Sequence, residues 1–89
     1  MINQDKALIN LKKAQSSLAK IAEMIETKKY CIDIMQQNLA VIGLLKSVHQ
    51  LLMENHLNSC FKNAMASKDE KLKQKMIEEI LKVSRLASK

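Results

Sequence analysis

Tyr30-Cys31-Ile32-Asp33 and His56-Leu57-Asn58-Ser59-Cys60 hold both cysteines of the chain and one of its two histidines. Thiolate sulfur and imidazole nitrogen are the donors that soft and borderline metal ions prefer. His56 and Cys60 are four residues apart, which on a helix places them on one face, one turn apart. Such a pair can grip one ion. The third donor, Cys31, lies 56 − 31 = 25 residues before His56. No proline occurs in the chain, and Gly43 is its one glycine, so the spacing predicts a single helix between the donors. A rise of about 1.5 Å per residue then separates Cys31 from His56 by roughly 38 Å. One chain cannot close that site. Two antiparallel copies can, with Cys31 of one meeting His56 and Cys60 of the other. The pattern therefore predicts a dimer with two equivalent sites related by a two-fold axis.

Composition agrees with a helical, partner-dependent chain. At 89 residues it is one small domain, 1–89, with 47% hydrophobic but 2% aromatic residues. A chain of this size buries little core alone, and oligomerisation is the usual remedy where disulfides are absent. The lack of proline and the single glycine predict an all-α fold. No apolar run reaches the roughly 18 residues of a spanning helix. The polar start, Asn3-Gln4-Asp5-Lys6, does not read as a signal peptide. The expected location is the cytoplasm, with both cysteines reduced and no membrane partner. The net charge is +6, almost all of it lysine. That charge suits a polyanion such as nucleic acid, and a lysine-rich solvated surface accounts for it equally well.

Three helices are expected, at about 4–27, 30–64 and 68–86. In the first, Leu11, Ala14, Leu18, Ile21 and Ile25 form a heptad-like seam. Thr27-Lys28-Lys29 is the expected turn. In the second, Cys31, Ile34, Asn38, Val41, Leu45, Val48 and Leu52 form another seam, widened by Leu44 and Leu51. A stripe that wide needs partners on two sides. The first helix supplies one and a second protomer the other, giving a four-helix bundle. The third helix is expected to open with a capping box, Ser67 as cap and Glu70 three residues on.

Two thiolates and one imidazole make a low-coordinate, soft site that suits Cu(I). Zn(II) would require a fourth ligand. Blander readings are that the cysteines are small buried hydrophobes or form an intermolecular disulfide. Met24, Met35, Met53, Met65 and Met76 are read as core filling rather than thioether ligands. His49 is read as a surface or core histidine. The chain shows no nucleophile–base constellation, phosphate loop or carboxylate pair, so neither an enzyme nor a small-molecule substrate is expected.

On the Tyr30-Cys31-Ile32-Asp33 run and the His56-Leu57/Cys60 pair, the chain resembles the CsoR family of metal-sensing repressors. Met24-Ile25-Glu26, Ala40-Val41, and Glu78-Glu79-Ile80-Leu81 before Arg85-Leu86 also match family positions. The resemblance runs from about Leu11 to Leu86. It implies three helices per protomer, an antiparallel dimer and usually a dimer of dimers, that is, a homodimer or homotetramer. In the copper branch the ligands fall here on Cys31 from one subunit and His56 and Cys60 from the other. Tyr30 matches a tyrosine that supports the ligands, and a supporting glutamate falls on Glu78 or Glu79. Such outer partners orient the imidazole. His56 separates the chain from the persulfide branch. The lack of a histidine near the N-terminus separates it from the nickel branch. The implied function is a Cu(I)-responsive repressor that leaves operator DNA on binding metal and derepresses copper efflux or resistance genes.

The DNA-facing positions depart from the family pattern. Ser17 and Ala19 stand where the family carries glutamine and arginine on helix 1, and Ile42 where it carries arginine on helix 2. Lysine does not replace the bidentate fork of arginine. Lys12, Lys13, Lys20 and Lys46 can still contact phosphates, which positions a protein without specifying sequence. Two alternatives therefore stand beside the repressor: a copper-binding relative without DNA regulation, and a thiol or persulfide sensor using the two cysteines.

Overall fold

A computed structural model describes the backbone from residue 2 to residue 89 and the side chains from residue 4 onward. Asn3, part of the polar start, lies outside the described side chains. The fold is all-α, with no strand among the described residues. Helix α1 is Ile2–Glu26 and α2 is Cys31–His56. A π-helical turn, Leu57–Phe61, leads directly into a short α3, Lys62–Ala66, and the chain ends in α4, Glu70–Ala87. His56, Phe61 and Lys62 all keep right-handed helical dihedrals, so the backbone is helical without a break from Cys31 to Ala66. By its contacts the chain divides into two compact units, Met1–Asn55 and His56–Lys89.

The first unit is an antiparallel hairpin of α1 and α2. The row of α1 turned inward is Ala7, Asn10, Ala14, Ser17, Ile21 and Met24, at strict spacings of three and four, with Ala7, Ala14 and Ile21 buried. The matching row of α2 is Ile34, Gln37, Val41, Leu44, Val48 and Leu51. Ala14, Ile21 and Val41 form the core, with Ile34 and Leu44 packed on it. The small alanines and Ser17 let the two backbones approach closely. Asn10 Nδ2 donates to Ser47 Oγ at 3.0 Å, a half-buried polar pair that pins the hairpin register.

This corrects the seams expected from sequence. Leu11, Leu18 and Ile25 are exposed, as are Leu45 and Leu52. They sit one residue round from the buried rows, so each helix carries two adjacent apolar seams. The hairpin covers one of each.

The hairpin turn closes without glycine. Lys28 has φ 56, in the left-handed region. Its N–H bonds to the Ile25 carbonyl at 3.1 Å, and the Lys29 N–H bonds to the Met24 carbonyl at 2.9 Å. This pair of bonds is a Schellman motif with lysine at the position that favours glycine. Thr27 Oγ1 donates to the Glu23 carbonyl at 2.8 Å and ties off the same helix end.

In the second unit, α3 and α4 pack beside a short turn, with Ala64 buried and Phe61, Met65, Leu72, Met76 and Ile80 half-buried. The start of α4 also corrects an expectation. Its N-cap is Asp69, whose carboxylate accepts from the Leu72 N–H at 3.1 Å. Ser67 instead ends α3: its backbone is extended, and its hydroxyl donates to the Ala64 carbonyl at 2.7 Å and accepts from the Asp69 N–H. A serine one residue past a helix end finds an orphan carbonyl before it can serve the next helix. The cap therefore passes to Asp69.

Candidate metal centre

Cys31 is the first residue of α2. The Tyr30 carbonyl accepts the N–H of Ile34 at 3.2 Å, so the helix opens on the Tyr30–Cys31 step. Cys31 is exposed, and the Tyr30 ring beside it is 69% exposed. His56, half-buried, is the last residue of α2. Cys60 is exposed and lies within the π-helical turn. Ser59 Oγ donates to Cys60 Sγ at 3.9 Å, a long contact of the kind sulfur accepts.

The π turn bears directly on the pair. In an α-helix a residue four on lies about 40° past its starting row. A π turn, closed by i→i+5 bonds, holds an extra residue and so advances less per step. His56 directly precedes that turn and Cys60 lies within it. Single π turns are often found at functional sites. Nothing in the local sequence announces this one, and the sequence reading treats the segment as plain helix.

The structure brings His56 and Cys60 together on one turn, with Cys31 at the opposite end of the 26-residue α2. Among the described residues, no three histidine, cysteine, aspartate or glutamate side chains of a single chain gather around one point. The donor set, two reduced thiols and an imidazole, fits a soft, low-coordinate ion. Glu78 and Glu79 are exposed on α4, and Glu78 accepts from Gln74 Nε2 at 3.2 Å along the same helix. Lys12, Lys13 and Lys20 are exposed on α1 and Lys46 is exposed on α2. Ser17 is half-buried in the hairpin seam, whereas Ala19 and Ile42 are exposed. Of the methionines read as core, Met24, Met53, Met65 and Met76 are half-buried, but Met35 is exposed. His49 is exposed. No helix among the described residues is long and apolar enough to cross a membrane.

Residues 3–85 match the family model for metal-sensitive transcriptional repressors. The copper-sensing transcriptional repressor CsoR of Mycobacterium ulcerans is 39% identical over 59 residues, which are 66% of this chain and 50% of that protein. The chain thus spans about half the length of the curated relatives it matches first. The copper-sensing transcriptional repressor RicR of Mycobacterium tuberculosis is 36% identical over 76 residues, covering 85% of this chain and 79% of RicR. In three dimensions the chain resembles the crystal structure of the copper-sensing repressor CsoR with Cu(I) from Geobacillus thermodenitrificans. The TM-score is 0.84 at 27% identity, over 96% of this chain and 85% of that one. With the family model spanning nearly its whole length, the chain belongs to the metal-sensitive transcriptional repressors.

Proposed function

We propose that the protein is a cytoplasmic Cu(I)-responsive repressor that holds operator DNA as an apo-oligomer and releases it on binding metal, derepressing copper efflux or resistance genes. The observation that carries this reading is the division of the donor set. Cys31 opens α2 and His56 closes it, with Cys60 one turn beyond. A helix of that length sets its ends roughly 38 Å apart. Cys31 would therefore act with His56 of the partner subunit and Cys60 of the partner subunit, in an antiparallel dimer that pairs further into a tetramer. Relatives named copper-sensing support Cu(I) as the ion.

When bound, Cu(I) supplies a bond network that spans two chains. Each chain's residues do the rest. The two thiols must lose their protons to ligate. Tyr30, next to Cys31, and Glu78 or Glu79 on α4 support the imidazole and fix the nitrogen it presents. Release of DNA requires that the metal bind the DNA-incompetent arrangement better than the competent one. Lys12, Lys13, Lys20 and Lys46 meet phosphates in the competent arrangement. Their contact is electrostatic, so affinity falls steeply with salt.

Fluorescence anisotropy on DNA from upstream of the gene, at low salt, tests this reading. Binding that Cu(I) reverses is the expected result. Ser17, Ala19 and Ile42, in place of the family's polar DNA-facing residues, favour a second reading, a copper-binding relative that no longer regulates. Cu(I) binding with no DNA complex in either state would establish it. The two exposed cysteines also suit a thiol or persulfide sensor, for which His56→Ala would leave the response intact.

A further inference from the structure

The outer row of α2 carries an order that the ligand set alone does not require. Cys31, Met35, Asn38, Ile42, Leu45, His49 and Leu52 recur at alternating spacings of four and three, and every one is exposed. One more step of four reaches His56, the end of the helix. Turned end for end about a point between residues 43 and 44, this row maps onto itself. Position 31 meets 56, 35 meets 52, 38 meets 49, and 42 meets 45. The residue types match under that operation: a metal donor with a metal donor, Met35 with Leu52, Asn38 with His49, and Ile42 with Leu45. A row that is self-complementary under a two-fold axis is what an isologous interface requires.

We infer that, in the antiparallel dimer proposed above, Asn38 of one copy pairs with His49 of the other to fix the register that closes the metal site. The inference rests on the shared-site reading above and names what aligns that site. Apolar pairs alone do not choose between registers a heptad apart, whereas a polar residue in a helical seam does. A slip of one heptad one way sets Cys31 against His49 and Asn38 against Ile42. The slip the other way sets His49 against Leu45. Each leaves polar groups facing aliphatic ones with their hydrogen bonds unmade. The first slip also offers Cys31 an imidazole with no cysteine four residues on, since position 53 is methionine. Pairing with Asn38 keeps His49 out of that role.

Residues 38 and 49 lie about 16 Å apart along one helix, so they cannot touch within a chain. Any coupling between them must pass between copies. The test compares the wild type with Asn38→Leu, His49→Leu and the swapped double variant Asn38→His/His49→Asn. The readouts are the urea midpoint at fixed protein concentration, anaerobic Cu(I) competition, and the sulfur-to-nitrogen ratio around bound copper by X-ray absorption. Each leucine variant is expected to weaken Cu(I) binding about tenfold or more and to change the copper ligand set. The swapped variant, which restores the pair across the axis, is expected within about threefold of wild type. A swap as weak as the leucine variants, or leucine variants that bind Cu(I) as wild type does, would overturn the register role. A mixture of Cys31→Ala and His56→Ala protomers run alongside keeps the two claims apart. If the mixture binds Cu(I) while the swap fails, the shared site stands and this inference falls; if the mixture does not bind, both fall.

Discussion

Three single residues carry most of the local chemistry. Cys31 is the one cysteine or histidine at its end of α2, and the proposed copper site depends on it. Cys31→Ala is expected to reduce Cu(I) affinity by well over the ~10–100-fold that loss of an outer partner costs, with the helical circular dichroism unchanged. Lys28 holds a left-handed dihedral that costs an L-residue about 1–2 kcal/mol. Lys28→Gly should therefore raise stability by roughly 0.5–1 kcal/mol in urea unfolding, while Lys28→Ala leaves it near wild type. Asp69 caps α4 through the Leu72 N–H, so Asp69→Ala should lower stability by about 1 kcal/mol and Ser67→Ala by less. The candidate donors stood out in the sequence because cysteine and histidine are rare here and two of them sit at helical spacing. The cap was not, because Ser67 and Asp69 are both good caps and only the path of the backbone decides between them. The turn was placed correctly at Thr27-Lys28-Lys29, although its left-handed residue is not the glycine that usually signals one.

At the scale of the element, α2 decides the molecule. Its inner row packs on α1 and its outer row is exposed. Periodicity in the sequence showed that the apolar stripe was wider than one seam, and so that two neighbours were needed. It did not assign residues between the seams, because rows one residue apart differ by about 100° and both are rich in leucine and isoleucine. The hairpin chose the row whose partner face is small: Ala7, Ala14 and Ser17 admit a close α2, while Leu11 and Leu18 do not. The π turn escaped the sequence reading because the weak helix formers Asn58, Ser59 and Cys60 do not tell a π turn from an α-helical one. Leu45 lies near the centre of the exposed row. Leu45→Lys would bury an ammonium group in the dimer with no carboxylate on that row to meet it, a cost far above the few kcal/mol of a lost apolar contact. That variant is expected to sediment as a monomer where the wild type sediments as the proposed oligomer, and to lose helical content with it.

In the whole molecule, five hydrophobic residues are buried and seventeen large ones exposed among the described residues, more apolar surface than one copy covers by itself. The metal donors and the uncovered apolar rows point to the same remedy, a second copy laid antiparallel. Ile42 illustrates how the two functions trade. Where the family carries an arginine, this chain places an isoleucine on the exposed row, which in the proposed dimer would add apolar contact between copies and subtract a charged group available to DNA. The fold could be read from one sequence; the strength of DNA recognition could not, because lysines on a helix surface look alike whether they meet phosphate or water.

Whether each copper site is assembled from two chains is decided by mixing protomers. Cys31→Ala and His56→Ala each lack a ligand at both sites of their own homodimers. In a mixed dimer one site keeps Cys31, His56 and Cys60 intact. After unfolding and refolding an equimolar mixture, random pairing should restore about a quarter of the wild-type Cu(I) capacity. A mixture that binds no more copper than its two components kept apart would contradict the account, and the ligands would then have to come from a single chain.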